Sequence, residues 1–173
     1  MNAAASSYEA WLRLCASDDA DHIRFLLSDT DASQDSIAFG EAVLDSWSQP
    51  EWPERVFGQA RWIELFRSAG FLARPPRPAP TEPIPIYRGP SWGRRRGMAW
   101  TTDQECARRF AQRWTAAGVA PGLVFATVIA CDAVLAIIED RGEAEVVVDP
   151  ARLPPLGKAS VVQPRQSPES RRR

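Results

Sequence analysis

The chain has 173 residues and a mass of 19.2 kDa, with a hydrophobic share of 45% and a charged share of 25%, values that exclude global disorder and a fibrous architecture. No run approaches the roughly 20 apolar residues needed to span a bilayer, and no basic leader precedes an apolar stretch at the N-terminus, so the expected location is cytoplasmic, with no membrane partner. The net charge of −1 conceals a division, because residues 1–50 carry nine acidic and two basic side chains whereas residues 51–100 carry four acidic and nine basic.

Residues 1–72 read as a helical segment. Tyr8, Trp11, Leu12 and Cys15 share one helical face behind Ser6 or Ser7 as the cap. A short helix follows around His22 to Leu27, and a third runs from Ser33 to Trp47 with Ile37, Leu44 and Trp47 inward. In the fourth, Pro53 suits a first turn, Val56, Ala60, Ile63 and Phe66 form the apolar stripe, and Gly70 supplies the stop. Six prolines between Pro75 and Pro85 exclude regular helix, and residues 73–83 are expected to be an extended connector.

Beyond the connector the pattern changes to short strands, at Ile84 to Arg88, Gly97 to Thr102, Leu123 to Ile129, Val134 to Ile138 and Glu145 to Val148. One helix, Asp103 to Ala117, falls between the second and third; Thr102 or Asp103 starts it, and Cys106, Ala107, Phe110 and Trp114 form its buried face. The order implies an α+β fold, with a strand-rich domain over residues 84–163 and a basic tail, 164–173, too polar to bury. Cys15, Cys106 and Cys131 are scattered and odd in number, so they read as buried thiols rather than disulfides or metal ligands, and no metal site is expected. His22, the only histidine, lies among aspartates and reads as a solvated or capping residue.

Three clusters carry chemistry: Tyr87-Arg88-Gly89 at the end of one strand, Trp100-Thr101-Thr102 at the end of another, and Gly142-Glu143-Ala144-Glu145 opening a third. Residues two apart in a strand point to the same side, so alternation would aim Glu143 and Glu145 into one cleft with Ala144 turned away. Arg88 and the two threonines also lie at strand ends. The arginine run Arg94-Arg95-Arg96 reads as a solvated turn more readily than as a cofactor contact.

In their order and strand context these clusters resemble the ADP-ribosyltransferase superfamily, specifically the arginine, serine-threonine-serine and Glu-x-Glu branch found in bacterial toxins and phage enzymes. The resemblance covers about residues 84 to 150 and implies a split antiparallel β-sheet that binds NAD. It makes Arg88 the contact to the NAD ribose and phosphate, Gly89 the main chain that meets the nicotinamide amide, and Tyr87 part of the same subsite. Glu145 matches the catalytic glutamate that bonds the nicotinamide ribose and stabilises positive charge as the N-glycosidic bond breaks. Glu143 matches the acid that orients and deprotonates the incoming nucleophile. The resemblance also implies an aromatic against the nicotinamide ring, for which Trp92, Trp100, Phe110 and Trp114 are the candidates, the last two reading rather as core at their helical spacing. The middle motif departs from serine-threonine-serine, and the hydroxyl that fixes the glutamate is expected from Thr101 or Thr102, with Thr101 favoured.

The implied activity is mono-ADP-ribosyl transfer from NAD to a macromolecular acceptor, a protein arginine before a nucleic acid, with release of nicotinamide and no metal. The implied setting is a toxin or phage-conflict enzyme. NAD hydrolysis and a non-catalytic interaction module on the same fold are the alternatives.

Overall fold

The computed structural model describes residues 36–50, 52–89, 95–116, 122–139, 142–157 and 160–162. The helices expected around Tyr8 and His22, with Cys15, Trp92, Arg94 and the 164–173 tail, lie outside these residues, as does the side chain of Trp114. The chain forms two compact units, Met1–Pro76 and Arg77–Arg173. Among the described residues, no helix is long and apolar enough to cross a membrane.

The first unit contains α1 (Ser36–Ser48), α2 (Pro53–Phe57), α3 (Gln59–Ala69) and a short strand, β1 (Leu72–Arg74). The single helix expected from Pro53 to Gly70 is broken at Gly58, whose φ of 76° leaves the right-handed helical region. The buried stripe of α3 is Trp62, Leu65 and Phe66, so Phe66 is buried as expected while Ala60 is exposed and Ile63 half-buried. Gly70, at φ 80°, ends α3 as its position suggested. In α1, Leu44 and Trp47 are buried with Phe39 and Val43, but Ile37 is 79% exposed. Ile37 shares the azimuth of Leu44 but stands in the opening turn, and periodicity fixes azimuth without guaranteeing cover along the axis.

An aromatic cluster joins these helices. The Trp47 and Trp62 rings meet edge to face at 5.1 Å, Phe66 lies 5.4 Å from Trp47, and the indole N–H of Trp62 donates to the Pro53 carbonyl at 2.7 Å. Arg74 of β1 donates to Asp45 and Glu41 on α1, each at 2.5 Å. The connector therefore begins in a strand that its prolines had hidden.

The second unit holds β2 (Ile84–Arg88), β3 (Ala99–Thr101), α4 (Gln104–Ala116), β4 (Gly122–Ile129), β5 (Val134–Ile138), β6 (Glu145–Val148) and β7 (Ser160–Val162). Its six strands lie in the order β5-β6-β3-β2-β4-β7, and all the described pairings are antiparallel. The mixture of helices and an open sheet is the α+β organisation expected from the sequence. β5 and β6 are buried throughout, which suits their unbroken apolar runs Val134-Leu135-Ala136-Ile137-Ile138 and Val146-Val147-Val148. β4 is exposed at Ala126 and Val128, as a strand with one solvated face should be.

The sheet is nearly divided at its middle. β2 and β4 pair along five residues, whereas β2 and β3 are joined by one pair, Tyr87 with Thr101. Two half-sheets, β5-β6-β3 and β2-β4-β7, therefore meet at a narrow seam. Helix α4 packs on the second half through Ala107 and Ala111, which contact Val124 and Tyr87. Small residues at helical spacing let the helix axis come close to the strands.

Candidate functional site

The three clusters read from the sequence converge at the seam. Thr101 is the register partner of Tyr87 on one side and of Glu145 on the other. Residues opposed in antiparallel strands send their side chains to the same face, so Tyr87, Thr101 and Glu145 form one row across β2, β3 and β6. Thr101 is 5% exposed and Glu145 6%, while Tyr87 is half-buried against α4. A carboxylate with so little solvent beside it has its electrostatic influence concentrated on what enters the row.

Arg88 ends β2 where the strands part. Its guanidinium donates to the Ala99 main-chain carbonyl, bridging from one half-sheet to the other. This bond anchors the arginine fork at the seam.

Of the two threonines, Thr101 faces inward and Thr102 is exposed. Their relation to Glu145 differs from the expectation. The Thr101 hydroxyl donates to the main-chain carbonyl of Glu143 at 2.6 Å and accepts from the Asp103 N–H at 3.0 Å, so its single proton is directed at the backbone of the acidic segment rather than at the Glu145 carboxylate. The next residue extends this link, since the Thr102 N–H donates to the Ala144 carbonyl at 3.0 Å. Asp103, and not Thr102, caps α4 by accepting from the Glu105 N–H at 2.8 Å.

Strand alternation does not align Glu143 with Glu145. β6 starts only at Glu145, and Ala144 has a φ of +46° after Gly142 at +68°. Left-handed backbone at the intervening residue breaks the two-residue repeat on which that expectation rested. Glu143 is half-buried in the turn ahead of the strand.

Two more residues stand apart from the row. Trp100 is 2% exposed, one residue out of phase with Thr101, and its indole N–H donates to the Gly97 carbonyl at 2.8 Å. It is thus a core residue on the opposite face, and the structure does not bring it to the side of Glu145. Gly89 is buried for a reason other than ligand approach. A Cβ built there would meet the Ala107 carbonyl oxygen at 2.0 Å and the Ala111 nitrogen at 2.7 Å, so the helix backbone fills that side and leaves it closed to a planar ring.

Of the arginine run, Arg96 is a structural residue: its guanidinium donates to the carbonyls of Pro150 and Leu153, both at 2.8 Å, and Pro154 at 3.3 Å. Cys106, in the first turn of α4, was read only as a helix-face thiol, and it adjoins the site. Burial pushes its thiol up from the ordinary value of 9.0; Arg109 opposes this, the Glu143 charge adds to it, and a hydrogen bond with Thr101 opposes it. Cys131 is half-buried rather than fully enclosed. Among the described residues, no group of three or more His, Cys, Asp or Glu side chains could hold a metal ion.

No family model, curated protein or solved structure matches this chain.

The raised Cys106 value has a measurable consequence. A thiol whose folded value lies above its unfolded value contributes stability in full below pH about 9 and loses it as pH rises through the folded value. The urea midpoint of the wild type is therefore expected to fall faster above pH 9 than that of Cys106→Ala. Parallel midpoints through that range would contradict this.

Proposed function

We propose that the chain is an NAD-dependent mono-ADP-ribosyltransferase whose second unit is an ADP-ribosyltransferase-type split sheet. It transfers ADP-ribose to a macromolecular acceptor, a protein arginine in the first instance, and releases nicotinamide. The observation that carries the reading is the convergence of three sequence-distant clusters on three neighbouring strands, with Thr101 paired to both Tyr87 and Glu145. The nearly divided sheet supports it, because a ligand cleft can open where two half-sheets meet by one pair.

The residues fit a dinucleotide in part. Arg88, one residue out of phase with Tyr87 and anchored through Ala99, would have to reach the phosphates from the strand end beside the row. Tyr87 supplies an aromatic edge beside the row. Glu145, almost without solvent, stabilises the cationic character that develops at the ribose carbon as its bond to nicotinamide breaks and the bonding pair leaves with nicotinamide. A lone pair of the acceptor forms the new bond to that carbon, and its proton passes to Glu143. Gly89 fits less well, since α4 occupies the side on which a ring would rest.

Hydrolysis is the second reading, favoured by the displacement of Glu143 from the strand that holds Glu145. Adenylate-labelled NAD incubated with an unfractionated lysate distinguishes the two. Transfer places label in protein, RNA or DNA, and Glu143→Gln then abolishes labelling while nicotinamide release survives with water as the acceptor and free ADP-ribose as the product. For a hydrolase, nicotinamide appears without labelled macromolecule and Glu143→Gln is silent. Absence of both label and nicotinamide sinks the catalytic reading.

A further inference from the structure

The segment between the two glutamates is held in an unusual way. Ala144 is the only described residue other than glycine with positive φ, at +46°, and it lies between Glu143 and Glu145. A side chain with a Cβ is disfavoured in this region, so the surrounding bonds must hold it there. Three do. The Thr101 hydroxyl donates to the Glu143 carbonyl at 2.6 Å, the Thr102 N–H to the Ala144 carbonyl at 3.0 Å, and the Gly142 N–H to the Glu139 carbonyl at 3.2 Å. The same Thr101 oxygen accepts the Asp103 N–H, tying the turn to the start of α4.

We propose that Thr101 and the left-handed Ala144 are positioning residues that set the direction of Glu143 through its main chain, so that transfer to an acceptor depends on them more than cleavage of NAD does. The inference rests on the function proposed above. Its physical basis is that a carboxylate displaced from strand alternation has no sheet register to orient it. The direction in which its side chain leaves the main chain is set by the backbone on either side, a hydroxyl bond on one side and a positive-φ residue on the other. Glu145, inside β6 and paired with Thr101, retains its place by ladder bonds whether or not the turn is preserved.

A main-chain role gives a side-chain order that packing would not. Glycine adopts the left-handed region freely, alanine reluctantly and valine poorly. With labelled NAD and an unfractionated lysate, Ala144→Gly is therefore expected to transfer as well as the wild type. Ala144→Val is expected to transfer about tenfold less, with nicotinamide release changed by less than about twofold. Equal transfer by the valine variant, or loss of transfer in the glycine variant, overturns the proposal.

Hydrogen exchange gives a second readout that does not involve NAD. The Thr102 and Asp103 amides should remain protected in Ala144→Gly and Thr101→Ser. The Thr102 amide should exchange about tenfold faster in Ala144→Val, and the Asp103 amide should do so in Thr101→Val. If the wild type releases no nicotinamide but this exchange pattern is found, the functional reading fails while the main-chain device stands. If the exchange pattern is missing, the device itself is overturned.

Discussion

Gly89→Ala is expected to destabilise the second unit by about 3 kcal/mol, lowering Tm by roughly 10 °C. No left-handed backbone requires glycine here, because the φ of Gly89 is not in the positive range. The requirement comes from its neighbour. The added Cβ would stand 2.0 Å from the Ala107 carbonyl oxygen and 2.7 Å from the Ala111 nitrogen. Both atoms are helix backbone, so no rotamer can relieve the overlap and α4 must shift away from β2. That shift also withdraws Ala107 and Ala111 from Val124 and Tyr87, exposing apolar surface the fold had covered. Gly157→Ala is the control, since nothing lies within 4 Å of a Cβ at that position. Thermal unfolding of the two variants should separate clearly, and a Gly89→Ala protein as stable as the Gly157→Ala control would refute the packing account. Loss of activity in Gly89→Ala would then report a displaced helix rather than a lost nicotinamide contact.

Glu145→Gln is expected to reduce nicotinamide release from NAD by about 10²- to 10³-fold with little change in KM. The amide nearly matches the carboxylate in shape but lacks the negative charge that, in the proposed function, opposes the cation developing at the ribose carbon. Because Glu145 is 6% exposed, that charge acts with little screening by water, and its removal should fall mainly on kcat. Circular dichroism and thermal unfolding of Glu145→Gln establish that the fold is intact before turnover is compared. Unchanged turnover with an intact fold would remove Glu145 from the chemistry.

Much of this arrangement was legible in the sequence. Ile84–Arg88, Val134–Ile138 and Glu145–Val148 were expected with the bounds they have, because β-branched runs between turn residues leave few alternatives. The shorter features were not. Leu72–Arg74 and Ser160–Val162 have only three residues each and adjoin proline-rich or polar stretches, so their strand character comes from pairing rather than propensity. The helical period of its neighbours hides Gly58, and only its φ of 76° reveals the break between α2 and α3.

The site divides in the same way. That Tyr87, Thr101 and Glu145 stand in one row depends on which strands are neighbours, and strand order is not written in any local pattern. Trp100 was offered to a ligand although its neighbour Thr101 occupies the phase facing Glu145, and alternation then sends the indole to the core. Glu143 failed in the opposite sense, because alternation was assumed for a residue that precedes the strand. Gly142 was the available signal of a turn, but alanine at positive φ has no signature in sequence.

The single pair at the seam bears on how this protein can change over time. A substitution in β5 or β7 falls within one half-sheet and leaves the pairing at the seam untouched. Tyr87 and Thr101 have no such latitude, since each change at that stitch reaches the strand of Arg88 and the strand of Glu145 together. In the proposed function, folding and chemistry would draw on the same two positions, and altering one without the other would require a compensating change across the seam.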